Sequence, residues 1–184
     1  MRIITGKLKG RRIHIPKGLE VRPTTDRVKE SIFNKIEAYK YIESSDILDL
    51  FGGSGSLGFE AISRGARMVT FVELDAKNVA LIKQVAAQFD VEKQVRAQVG
   101  DVFQFISGPA TPFDYIFCDP PYDYPLMDDM IAVILENNWL NENGWFILEH
   151  DKFHNYKKHP HCFFSKAYGR TTVSIFQKHA VDSQ

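Results

Sequence analysis

The stretch LDLFGGSGSLGFE, residues 48–60, constrains the fold more than any other part of the chain. An apolar run, DILDLF, meets a cluster of glycines and then LGFEAISRG, an apolar segment closed by Gly65. A short buried strand therefore turns through a tight loop into a helix. The pattern repeats downstream. ARMVTFVELD reads as a strand, and AKNVALIKQVAAQF as a helix with Val79, Ile82, Val85 and Ala86 on one face. QVRAQVGD, FDYIFCDPPY and GWFILEH read as three more strands, separated by helices around 102–107 and 126–138. Strands alternating with helices imply an α/β fold, a parallel sheet covered on both faces. HCFFSKAY and TTVSIFQK, joined by Gly169 and Arg170, instead predict a closing antiparallel hairpin. Ligands of open parallel sheets bind beyond the carboxyl ends of the strands, near the point where strand order reverses. The glycine loop, Glu73, Asp101 and DPPY all fall at such ends.

Upstream, RPTTDRVKESIFNKI predicts a helix capped by Thr24 or Thr25, with Val28, Ile32 and Ile36 recurring at intervals of four. No acid or amide stands three residues after either threonine, so a capping box is absent. Before it comes a basic arm. Residues 1–30 carry nine Lys or Arg against three acids, nine less three giving +6, although the whole chain has a formal net charge of zero. Ile3, Ile4, Leu8, Ile13 and Ile15 interleave with these charges, so RIITG and RRIHI are read as two short strands of a hairpin or extension, ordered, within an arm at residues 1–22. A local anionic partner is expected. At 184 residues, 44% of them hydrophobic, the chain suits one domain with a full core, residues 1–178, and the tail at 179–184 is expected to be frayed. No apolar run approaches the ~20 residues of a membrane span. The amino terminus offers no apolar segment for a signal peptide. Cys118 and Cys162 show no disulfide framework, so a cytoplasmic location is expected.

GSGSLG matches the glycine pattern that cradles a dinucleotide pyrophosphate, but the same loop can hold the methionine end of S-adenosylmethionine. Asp49 weighs between them. It stands four residues before Gly53, at the end of the strand, where a carboxylate would repel two phosphates and instead attract an ammonium group. Glu73, twenty residues past Gly53, suits the ribose of either ligand. Asp101 is placed to accept from an adenine amino group. A dehydrogenase would also need a substrate domain for which this chain has no room.

CDPPY, residues 118–122, carries the chemistry. Two prolines after FDYIF force the chain out of the sheet and fix the direction of the Asp119 and Pro120 carbonyls. An exocyclic amine whose lone pair is delocalised into a ring needs its hydrogens held and its lone pair turned toward the methyl donor. The Asp119 carboxylate and the Pro120 carbonyl are two suitable acceptors, and proximity and alignment supply much of the rate. Tyr122 offers a flat face on which a base can stack, an interaction of roughly 1–3 kcal/mol. A paired or stacked target would have to be flipped out.

DPPY at the end of the fourth strand resembles the (D/N)PP(Y/F) signature of amino-group methyltransferases. RIITGKLKGRRIHIP, RPTTDRVKESIFN, the SRGA run and YGRTTVSIFQK narrow the resemblance, in order over residues 1–178, to the bacterial small-subunit (16S) ribosomal RNA guanine-N2 methyltransferases. That resemblance implies a Rossmann-like class I methyltransferase fold: a seven-stranded, mostly parallel sheet with an antiparallel C-terminal hairpin and a short N-terminal β extension. It implies S-adenosylmethionine as methyl donor, held by Asp49, Phe51, Gly53, Gly55, Glu73, Leu74, Asp101 and Val102. Asp119, Pro120, Pro121 and Tyr122 would form the catalytic loop. Arg2, Lys7, Lys9, Arg11, Arg12, Arg22, Thr25 and Arg27 would face RNA. The expected partner is small-subunit ribosomal RNA within assembling subunits, met by a monomer without metal or membrane. Another amine as acceptor, such as DNA adenine or cytosine, and a non-catalytic RNA-binding assembly factor are the alternatives.

The remaining signals are weaker. His150, His154, His159, His161 and Cys162 match no zinc spacing and are read as loop residues. Asp123, Asp128 and Asp129 suit the amino terminus of a helix. Ser54 and Ser56 lack the partners of a nucleophile.

Overall fold

Along β1 (Asp46–Leu50) successive side chains leave on opposite faces of the sheet. Ile47 joins one core cluster, and Leu48 and Leu50 join another. The same division runs through every central strand, so the sheet is sandwiched between two helical layers. The computed structural model describes residues 1–19 and 24–178. In chain order the elements are α1 (Asp26–Tyr39), β1, α2 (Ser56–Ser63), β2 (Met68–Glu73), α3 (Ala76–Gln88), a 3₁₀ turn (Glu92–Gln94), β3 (Val95–Val99), α4 (Val102–Ile106), β4 (Phe113–Cys118), α5 (Met127–Glu136), β5 (Leu140–Asp151), β6 (Cys162–Tyr168) and β7 (Thr171–Gln177). Helices α1, α2 and α3 pack on one face with Phe71, Phe117 and Ile147, and α4 and α5 on the other with Ile116, Phe146 and Leu148.

The strand order is β3-β2-β1-β4-β5-β7-β6, with β7 antiparallel to both neighbours. Order reverses between β1 and β4, whose ends meet in register, Leu50 opposite Cys118. The glycine loop and the DPPY loop therefore leave the sheet side by side. The expected seven strands and closing hairpin are present. β5 begins earlier than GWFILEH suggests, because Leu140 pairs with Phe113 before a register shift leads to Trp145 opposite Tyr115. Among the described residues no helix is long and apolar enough to cross a membrane.

The amino-terminal arm corrects an expectation. RIITG and RRIHI form no strands; a single antiparallel bridge joins Arg2 and Arg12. Around it Ile3 donates to the Arg11 carbonyl at 2.9 Å and Ile13 to that of Met1 at 2.8 Å, and the rest of the arm finds other partners. Ile4 and Thr5 donate to the Glu60 carboxylate at 2.8 and 3.0 Å, and Lys7 donates to the Ser63 carbonyl at 2.8 Å. Ile3, Leu8 and Ile13 are buried against α1 and α2. Glu60, fully buried, also accepts from Arg64 at 2.9 Å and lies 3.8 Å from buried Lys29, whose ammonium donates to the Arg2 carbonyl and to Ser56. Burial lowers the Lys29 pKa against the opposing pull of Glu60. The arm is thus fastened to the back of the glycine-loop helix. The tail, residues 179–184, lies outside the described residues.

Candidate active site

A cavity of about 450 Å³ opens where β1 and β4 diverge. Its floor is the glycine loop, and the chain reaches that floor through left-handed backbone at Phe51 (φ 58°), Gly53 (φ 52°) and Gly55 (φ 78°). A phenylalanine in this region is strained, as residues at ligand sites often are. A side chain on Gly55 would meet the Phe59 ring at 2.7 Å, so glycine is required there for space as well as for φ. Helix α2 starts from this loop with no side-chain cap of its own. Asp49 supplies one from below, its Oδ2 accepting from the Gly58 amide at 3.0 Å. Glu73 braces the other side, accepting from the Gly53 amide at 2.8 Å and the Asp75 amide at 2.9 Å. Asp101 caps α4 by accepting from Gln104 at 2.8 Å.

Asp49, Glu73, Asp101 and Asp119 all line the cavity, and no Lys, Arg or His does so among the described residues. The electrostatics follow from that convergence. Asp49 is 4% exposed, and its pKa stands well above the usual carboxylate range, raised by burial and then by Asp119 and Glu73, against the Gly58 hydrogen bond. The buried Cys118 thiol is pushed up by burial and then by Asp119, Asp49 and Glu149. A cationic ligand would relieve this repulsion; a pyrophosphate would add to it.

Of the residues expected to hold a cofactor, Asp49, Phe51, Gly53, Glu73, Leu74, Asp101 and Val102 line the cavity, while Gly55 shapes the loop behind it. Asp119, Pro120 and Pro121 line it from the β4 side. Tyr122 does not. It is half-buried, and its hydroxyl shares a 2.7 Å hydrogen bond with Thr171, tying the catalytic loop to the start of β7. Tyr124 takes the place at the cavity wall, its ring edge-on to Phe51 with centroids 5.0 Å apart. Its hydroxyl and the Oδ1 of Asn78 are buried and have no hydrogen-bond partner among the described residues. Both residues line the cavity. Neither was singled out in the sequence. Asn78 had a signal: it shares the buried face of α3 with Ile82 and Val85, an amide where the pattern calls for an apolar residue.

The basic residues divide into two groups. Thr25 caps α1, accepting from Val28, and stands beside the cavity-lining Thr24. Arg2 pairs with Asp26 at 2.8 Å in the first turn of that helix, with Arg12 opposite it, and exposed Arg27 follows. Lys7 instead reaches Gln94 at 2.6 Å, and Arg11 reaches the Gln88 carbonyl at 3.2 Å. Gln88 ends α3 and Gln94 precedes β3, so both contacts lie at the amino-terminal end of the sheet, away from the cavity, with Lys9 in the same turn. Arg22 lies outside the described residues. The expectation of loop residues fails for His150, which is buried in β5 and hydrogen-bonded to Ser174 at 2.8 Å, and for Cys162, which begins β6; His154 is held by Asp151 at 2.9 Å.

Known proteins share this architecture. The model of the family described as Conserved hypothetical protein 95 matches residues 1–177. Ribosomal RNA small subunit methyltransferase D of Haemophilus influenzae is 40% identical over 161 residues, covering 83% of this chain and 79% of that protein. The solved structure of the Escherichia coli protein yhhF, 29% identical, has a TM-score of 0.86 over 98% of this chain and 99% of that one. An RNA methyltransferase of Salinibacter ruber, solved with S-adenosyl-L-homocysteine, shares the fold at 15% identity and a TM-score of 0.67, covering 88% of this chain and 98% of that one. The sheet is that of the class I methyltransferases. With a family model spanning nearly every residue and a named relative aligned over most of both lengths, the chain belongs to the Conserved hypothetical protein 95 family, which includes ribosomal RNA small subunit methyltransferase D.

Proposed function

We propose that this chain transfers a methyl group from S-adenosylmethionine to the N2 amine of a guanine in small-subunit ribosomal RNA. One observation carries the choice of cofactor: a cavity at the strand-order reversal lined by four carboxylates and, among the described residues, by no cation. S-adenosylmethionine supplies a methyl group on a positively charged sulfur and has no phosphate. Asp49 and the loop at Gly53 would hold its ammonium end, and Glu73 its ribose. Asp101, Leu74 and Val102 would hold the adenine, with Phe51 and Tyr124 closing the wall. The relative named for small-subunit ribosomal RNA supports the substrate class.

The chain's own contribution to the reaction is position. Asp119 and the Pro120 carbonyl accept the two hydrogens of the target amine, which turns the nitrogen lone pair toward the cavity. The prolines keep that pair of acceptors from rotating away. Tyr122 fixes the loop through Thr171 and stacks its ring on the base. The proton released on methylation passes to solvent, so no strong base is required. The substrate is met as a monomer in the cytoplasm, on assembling subunits, by one domain spanning residues 1–178. In a host lacking the gene for this chain, 16S ribosomal RNA digested to nucleosides should contain less N2-methylguanine, restored by the wild-type chain and not by Asp119→Ala. Equal N2-methylguanine with and without the gene would refute the assignment.

A further inference from the structure

The turn between β6 and β7 stands at the same end of the sheet as the catalytic loop. Asp151, at the carboxyl end of β5, pairs with Thr171, whose hydroxyl meets that of Tyr122. A hydroxyl contact between Tyr168 and Ser31 fastens this turn to α1. Four cations gather around that contact. Arg27 and Lys35 stand one helical turn to either side of Ser31, on one flank of α1. The Lys35 ammonium lies 4.6 Å from the centroid of the Phe164 ring, and that of Lys166 lies 5.4 Å from the centroid of Tyr168. Arg170 occupies the turn itself. Arg27, Lys166 and Arg170 are exposed and Lys35 is half-exposed.

None of the four pairs with a carboxylate among the described residues, whereas Arg2, Arg64 and Arg67 all do. Most of the nearby acids are engaged elsewhere, Asp151 by Phe153 and His154. Asp26 is engaged by Arg2 and Glu37 by Arg64, and Glu30 stands one turn along α1 from Arg27 without forming an ion pair with it among the described residues. Residues 161–178 contain no Asp or Glu at all. In a chain of zero net charge this is a local excess, on the open edge of the sheet beside the catalytic loop. A lysine on an edge strand also discourages strand pairing, which would account for Lys166 but not for Arg27, Lys35 or Arg170.

We propose that Arg27, Lys35, Lys166 and Arg170 form the strip that holds the RNA phosphates next to the catalytic loop, a role that the arm tip at Lys7, Lys9 and Arg11 does not fill. The proposal rests on the functional reading above. Arginine forks match phosphate oxygens, and the aromatic rings beneath the two lysines hold their stems in place. Such contacts are indifferent to sequence and set the register in which a target base meets the loop.

The test compares two combined variants with the wild-type chain in binding and methylating small-subunit ribosomal RNA over a range of salt concentrations. The first is Arg27→Gln with Lys35→Gln, Lys166→Gln and Arg170→Gln. The second is Lys7→Gln with Lys9→Gln and Arg11→Gln. Losing four phosphate contacts should weaken RNA binding about tenfold or more, raise KM for RNA and reduce the salt slope by roughly three. Affinity for S-adenosyl-L-homocysteine, measured on the same samples, should stay within about twofold, which excludes misfolding. Arg170→Gln alone should shift the slope in the same direction by about one. The arm-tip variant should move the slope far less than the strip variant. A flattened slope in the arm-tip variant with an unchanged one in the strip variant would overturn the proposal. Wild-type protein that binds the cofactor but methylates no RNA would overturn the functional reading, and this proposal with it.

Discussion

The Asp49 carboxylate accepts a hydrogen bond from the Gly58 amide at 3.0 Å, so the penultimate residue of β1 caps the following helix from across the glycine loop. Buried and crowded by Asp119 and Glu73, it is held with its pKa well above the ordinary range. Folding therefore favours its protonated form. That contribution to stability is complete below the ordinary carboxylate range and is lost as pH rises through the raised value.

Asp49→Asn keeps an acceptor for Gly58 and removes the charge. The variant should melt higher than wild type, with an advantage that grows as pH increases, while its affinity for S-adenosylmethionine falls by about tenfold or more. Thermal melts across pH and titration calorimetry read the two effects separately. A variant that loses stability at neutral pH, or keeps its affinity, would contradict the role given to this carboxylate.

Glu73 is tied to both Gly53 and Asp75, so it shapes the glycine loop before any ligand arrives. Glu73→Ala leaves two amides without their acceptor, at about 1–3 kcal/mol for each that stays buried. Faster hydrogen exchange at Gly53, together with weakened S-adenosyl-L-homocysteine binding, is the expected result. Exchange identical to wild type would show that the loop holds itself.

The two tyrosines of the DPPYDY run should separate in kinetics. Tyr124→Ala opens the cavity wall against Phe51 and should raise the dissociation constant for cofactor about tenfold. Tyr122→Phe breaks the link to Thr171 and should lower kcat by a few-fold, about 1 kcal/mol of barrier, with cofactor affinity intact. Asp119→Ala should lower kcat about 100-fold or more and leave cofactor binding nearly as it was. Single-turnover rates beside equilibrium titrations give both quantities, and an exchange of phenotypes between the tyrosines would reverse the assignment.

Glu60 joins the arm to the core. Glu60→Ala would strand the Ile4 and Thr5 amides and leave Lys29 and Arg64 without their buried carboxylate, an effect of about 3–5 kcal/mol. Urea denaturation should show that loss, and deletion of residues 1–13 should do likewise. A truncated chain as stable as the whole would mean that the arm is merely laid on the surface.

The α/β core was legible because its signals are local. A run such as DILDLF is apolar whichever way the chain folds, and the prolines after FDYIF end that strand on steric grounds alone. The arm was not legible as what it is. Its alternating isoleucines suggest strands, but the two segments pair only around Arg2 and Arg12, and Ile4, Thr5 and Lys7 find their acceptors on Glu60 and Ser63, more than fifty residues away. Position along the chain also misled about Lys7 and Arg11. They are close to Arg2 in sequence, yet the arm runs the length of the sheet before turning back. Tyr122 and Tyr124 look equivalent until the fold decides which one faces the cavity.

The central claim is methyl transfer to a guanine amine, and the most direct test uses labelled S-adenosylmethionine with three acceptors. These are undermethylated small ribosomal subunits, their extracted RNA and duplex DNA, with products resolved as nucleosides by mass spectrometry. Label is expected in N2-methylguanine from subunits or RNA, and none from DNA. Label confined to DNA, or none anywhere from a protein that binds the cofactor, would contradict the claim.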